Sequence, residues 1–182
     1  MPKPIVTLLL AGLLSAGCTA GEPTVAPEDV EGPFVWGAAT HVTRLGNLWF
    51  ADQPDAAGLD AALQNGVSVV VNLREPEELA WDEASAVEAL GMQYFSVPVS
   101  GARPFSAQAF DRIEEIVESH PDQQILIHCS SSNRAGGWLA TQLVQRKGMG
   151  VEAALAVGSR AGITKETIAE KVRTYLAAAV AP

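Results

Sequence analysis

"ILIHCSSSNRAGGWLAT", residues 125–141, decides how this chain is read. Ile125 to His128 form a short apolar run that reads as a central strand. From Arg134 to Lys147 the residues Trp138, Leu139, Leu143 and Val144 fall on one side of a helix. Cys129 stands where the run stops, and a row of small polar residues leads from it to an arginine. A strand that turns tightly into a helix leaves backbone N–H groups pointing into the turn, and the helix N-terminus adds partial positive charge. Such surroundings favour a thiolate over a thiol. Ser130, Ser131 and Ser132 add hydroxyl donors, Asn133 completes the turn, and the guanidinium of Arg134 can fold back to hold anionic oxygens. A thiolate beside an anion cradle is equipment for covalent group transfer.

Outward from this stretch, strand and helix patterns alternate. "NLWFA" (47–51) and "VSVVVNL" (67–73) read as strands, the second β-branched throughout as in strands buried on both faces of a parallel sheet. Asp55 to Gln64 has helical spacing and stops at Asn65-Gly66. Asp82 to Leu90 is a second helix, "YFSVPV" (94–99) a strand, and Ser106 caps a helix that runs to Ser119. Helices over Val151–Ala161 and Thr164–Ala178 close the chain. This order implies an α/β fold with a parallel-type central sheet flanked by helices. Ligands bind beyond the carboxyl ends of the strands of such sheets. Three loops should gather there: Arg74–Leu79, Ser100–Phe105 and Cys129–Asn133.

The beginning of the chain carries an address. Lys3, the apolar run Ile5–Leu14 and the small residues before Cys18 form a secretion signal, too short for a permanent membrane span. Ser15, Ala16 and Gly17 before Cys18 resemble a bacterial lipobox, which implies residues 1–17 as signal peptide and a lipid on Cys18. Thr19 resembles the pattern sorted to the outer membrane, facing the periplasm. Residues 18–37, rich in Pro, Gly, Ala and acids, read as a flexible tether. Residues 38–182 then make one domain. With Cys18 acylated, Cys129 is the only free thiol of the two cysteines. The net charge of −9 argues against nucleic acid but not against a small phosphate ester. His41 and His120 with a single cysteine make no zinc spacing, so neither metal nor other cofactor is expected.

"FADQPD", "VVVNLREPEE", "MQYFSVPVSG" and "ILIHCSSSNRAG" together resemble the protein-tyrosine-phosphatase-like proteins of the bacterial beta-lactamase-hydrolase-like phosphatase family, relatives of the dual-specificity phosphatases. The resemblance spans about Trp49 to Gly162. It implies a cysteine-phosphatase-like fold, Cys129 as nucleophile forming a thiophosphate, Arg134 as phosphate clamp and Ser130 to Asn133 as cradle. It also implies that His128 orders the loop and supports the thiolate. The substrate would be a phosphorylated protein or a small phosphate ester.

This chain also departs from that pattern. Four residues separate Cys129 from Arg134, one fewer than in the wider phosphatase superfamily, and none is glycine. The shorter loop resembles that of rhodaneses, which carry a persulfide, so sulfur transfer is an alternative. "SGARPF" (100–105) has no carboxylate where dual-specificity-like enzymes carry an acidic proton donor, and Ala135 replaces their hydroxyl residue. Glu75, Glu77 and Glu78 are therefore candidates for a substitute acid, with Arg74 at the rim. A non-catalytic, anion-binding lipoprotein is the third reading.

Overall fold

The computed structural model describes residues 25–180. The signal segment 1–17 and the lipidation site at Cys18 lie outside the described residues. Six strands form one sheet: β1 (Glu31–Trp36), β2 (Ala39–Leu45), β3 (Leu48–Ala51), β4 (Val67–Asn72), β5 (Gln93–Ser96) and β6 (Gln124–His128), in the order β1-β2-β3-β6-β4-β5. The last four in that order run parallel, while β1 and β2 are added antiparallel. The helices are α1 (Ala56–Gln64), α2 (Glu83–Ala89), α3 (Ala107–Ser119), α4 (Asn133–Lys147), α5 (Val151–Arg160) and α6 (Glu166–Val180).

Successive side chains of a strand point to opposite faces, so β4 and β6 feed two cores at once. Val69, Val71, Ile125 and Ile127 join Phe50 beneath α3 to α6. Val70 and Leu126 join Trp49 on the other face, against Leu59 of α1 and Val87 of α2. Both central strands are fully covered, which explains their unbroken β-branched and aliphatic runs. The helix starts follow from capping. Asp55 accepts the Gly58 N–H at 2.8 Å, Asp82 the Ser85 N–H at 3.1 Å, and Ser106 the Ala109 N–H at 3.4 Å.

The expected tether over residues 18–37 requires correction in its second half. Residues 31–36 are strand β1, Val30 and Trp36 are buried, and the Trp36 ring lies 4.7 Å from that of Trp49. An edge strand buries little, and this one has register irregularities on both sides of Phe34, so no alternation survives in its sequence. Strand 94–99 is also shorter than expected. β5 ends at Ser96, before Pro98, although the N–H groups of Val97 and Val99 still donate to Asn72 and Leu73 at 2.9 and 3.0 Å.

α4 and α5 approach closely through glycine. A Cβ on Gly136 would lie 2.7 Å from the Gly158 carbonyl oxygen and 3.1 Å from Ile163. Gly136→Ala should therefore cost about 1–3 kcal/mol of stability, as overpacking does, and thermal unfolding of the variant will measure it.

Candidate active site

The site lies where β4 and β6 end. Cys129 directly follows β6, is fully buried, and donates its N–H to Ala51 across the sheet at 3.3 Å. The turn from there into α4 has no glycine, so Ser132 adopts the left-handed conformation itself, with φ of 57°. That costs a non-glycine residue roughly 1–2 kcal/mol. Its hydroxyl donates to Ala161 at 2.8 Å and holds the turn in place. Gly162 fits against this bend, since a Cβ there would overlap the Ser132 side chain.

Ser132 and Asn133 thus turn their side chains away from the expected cradle. The Asn133 carbonyl oxygen accepts the N–H groups of Thr164 and Lys165 at 2.9 and 3.0 Å, and its amide donates to Ser131 and Thr164. The two residues tie the turn to the segment between α5 and α6, and only their backbone remains to serve a ligand. Ser130 keeps its hydroxyl in the site, accepting from Arg134 Nη2 at 3.0 Å.

Arg134 is the most heavily bound group of the site, and its side chain is 5% exposed. Nη1 donates to the carbonyls of Leu73 and Val99 at 3.2 and 2.9 Å, and Glu78 receives both ends of the fork at 2.7 and 2.8 Å. Burial works against the charge of Arg134, but Glu78 and the Cys129 sulfur, both facing the guanidinium, outweigh it and raise its pKa. The same contact with Arg134 holds the Glu78 carboxyl below its usual range, against some burial.

This changes the standing of the candidate acids. Glu78 is kept ionised as the partner of Arg134, so it belongs to the rim and is poorly suited to give a proton. Glu75 meets Arg103 at 2.6 Å farther out, and its N–H donates to Glu78. Arg74, expected at the rim, donates to the Gln53 side chain and to the Glu78 carbonyl. Lys171 of α6 donates to the carbonyls of Gly101 and Arg103, each at 2.7 Å, and fastens the loop 100–105. Burial, then the charge of Arg134, lower its pKa.

Two groups here escaped sequence reasoning. Lys171 left no signal among the other charges of α6. Glu83 did, because it stands four residues before buried Val87 on the inner face of α2, where an acid is out of place. Its side chain reaches His128, with Oε1 2.8 Å from Nε2.

No family model matches the sequence, and no curated protein matches it. Solved structures do. Tk-PTP in its active form superposes with a TM-score of 0.61 at 21% identity, covering 71% of this chain and 90% of that one. TpbA from P. aeruginosa gives 0.61 at 19%, covering 75% and 83%. A cysteine-to-serine variant of TpbA in complex with pTyr gives 0.61 at 18%, covering 78% and 88%. The chain has the α/β fold of protein-tyrosine-phosphatase-like proteins, as the sequence resemblance implied.

Replacing Glu78 by Gln should lower stability by roughly 2 kcal/mol, between the values for exposed and buried ion pairs. The folded pKa of Glu78 is depressed, so its contribution is complete above the ordinary glutamate range and fades as pH falls through the folded value. Denaturation midpoints of parent and variant should thus differ at neutral pH and converge in acid.

Proposed function

We propose that this protein is a cysteine-dependent phosphatase of the tyrosine or dual-specificity type, hydrolysing phosphate monoesters through a thiophosphate on Cys129. One observation carries the reading: a buried cysteine at the end of the central strand opens the turn whose Ser130 hydroxyl binds the fixed guanidinium of Arg134 at the mouth of α4. The Cys129 thiolate attacks phosphorus, an S–P bond forms, and the P–O bond to the leaving group breaks. Water then attacks the thiophosphate, releasing inorganic phosphate and restoring the thiolate. Arg134 and the backbone N–H groups of Ser130 to Asn133 hold the equatorial oxygens. A neighbour of the same fold is known in complex with pTyr, which makes phosphotyrosine the first ester to try here.

Of the candidate acids, Glu78 and Glu75 are each paired with an arginine and Glu77 is exposed, so the departing oxygen leaves with little proton assistance. Absence of a general acid costs about 10²–10⁴-fold. Turnover should therefore be slow and steeply dependent on the acidity of the leaving group. The signal segment and Cys18 support a lipid-anchored protein of the bacterial cell envelope, placed at the outer membrane and facing the periplasm. Labelling with a fatty-acid analogue, lost in Cys18→Ala, tests that part.

The activity test is hydrolysis of a series of aryl phosphates, from p-nitrophenyl phosphate to phosphotyrosine, by the reduced soluble domain. Activity should vanish in Cys129→Ser, and the rate should fall sharply as the phenol becomes less acidic. The four-residue spacing of the loop favours one rival, persulfide transfer. Cyanide-dependent turnover of thiosulfate, with no phosphate released from any ester, would decide for it.

A further inference from the structure

We propose that Glu83 is a positioning residue of this site, acting through His128; the proposal rests on the thiolate chemistry described above. Alternation along β6 and past its end places Cys129 in the core beneath α3 to α6 and turns His128 to the opposite face, covered by α2. Glu83 opens α2, and its side chain is 1% exposed. Its Oε2 accepts from Asn72 Nδ2 at 2.8 Å and from Gln53 Nε2 at 3.2 Å.

Oε1 is different. Among the described residues its near neighbour of opposite polarity is His128 Nε2 at 2.8 Å, though the two do not align as a well-formed hydrogen bond. Neither nitrogen of the buried His128 ring meets any other partner among the described residues. A carboxylate oxygen buried without a donor costs several kcal/mol. A modest turn of the ring brings the Nε2–H into line and satisfies both groups. The carboxylate therefore fixes which ring nitrogen carries a proton, and it supports positive charge on the imidazole.

His128 directly precedes Cys129 in the chain, so charge that Glu83 supports on its ring lies one residue from the thiol-bearing position. Other charged or titratable groups around the pair are Arg74, through Gln53; Tyr94, through Asn72; and Asp82 on α2 itself. Arg134 with Glu78 faces the sulfur from the opposite side, and Asp52, beyond β3, is occupied by Thr40 and His41. Glu83 is the only one of these in contact with the His128 ring.

The test joins two readouts that need no turnover. Imidazole NMR of histidine-labelled protein should show for His128 a downfield, slowly exchanging Nε2 proton, assigned by its loss in His128→Asn. The thiolate ultraviolet band, taken as the difference from Cys129→Ser, should fall by roughly half or more at neutral pH in Glu83→Gln. Glu83→Asp should recover part of it. Loss of the His128 proton signal in Glu83→Gln together with the smaller thiolate band supports the proposal.

An unchanged thiolate band in folded Glu83→Gln overturns it, even if thermal stability drops. Absence of the downfield proton in the parent also overturns it, and that measurement stands if no variant folds. A parent that shows both effects yet hydrolyses no phosphate ester leaves the positioning role intact and removes the phosphatase reading instead.

Discussion

A guanidinium cannot shed its charge in a protein interior, so it must be surrounded by acceptors, and the site of this protein is arranged around that need. The side chain of Arg134 collects two carbonyls from different elements, both oxygens of Glu78 and the hydroxyl of Ser130. Each acceptor comes from a separate part of the chain: the end of β4, the segment after β5, the turn at 76–78 and the cysteine loop. The ends of three parallel strands are thus held in register by one cation. The sulfur of Cys129 faces the same group, so the charge that organises the loops is also the charge available to an anion.

The two faces of the sheet share the work unequally. Cys129, Arg134 and the loop fastened by Lys171 lie on the side of α3 to α6, while the buried contact of His128 with Glu83 lies on the side of α1 and α2. Strand alternation makes this division unavoidable for adjacent residues at the end of β6. The strand end is therefore gripped from both faces, by a half-buried contact of Arg134 with Glu78 on one side and by a fully buried one of His128 with Glu83 on the other.

Much of this architecture was legible in the sequence, for identifiable reasons. Val69 to Val71 and Ile125 to Ile127 are buried on both faces, and such strands announce themselves as unbroken apolar runs. The helix starts at Asp55, Asp82 and Ser106 carry cap residues whose function is local. β1 was hidden because an irregular edge strand buries one side at most, and its proline and glycine read as linker; β2, interior in the sheet, mixes buried and half-exposed positions without clean alternation. In the site, Cys129, Ser130 and Arg134 were found because they lie within six residues of one another along one turn. The outward-turned side chains of Ser132 and Asn133 were not, because their partners Ala161, Thr164 and Lys165 lie about thirty residues away. The pairing of Glu78 with Arg134 likewise depends on how two separate loops converge.

Ser132 through Thr141 are buried without interruption, so the first turns of α4 have no solvent-facing side at all. Local opening normally begins where a segment has few buried contacts. Here Ser130 and Ser131 alone give the turn a solvent-facing margin, and from Ser132 onward the helix cannot peel from the sheet without exposing the core. The backbone amides from Ser132 into the first turns of α4 should exchange with solvent only through global unfolding, in one cooperative unit with β6. The lifetime of the binding turn is then the lifetime of the fold.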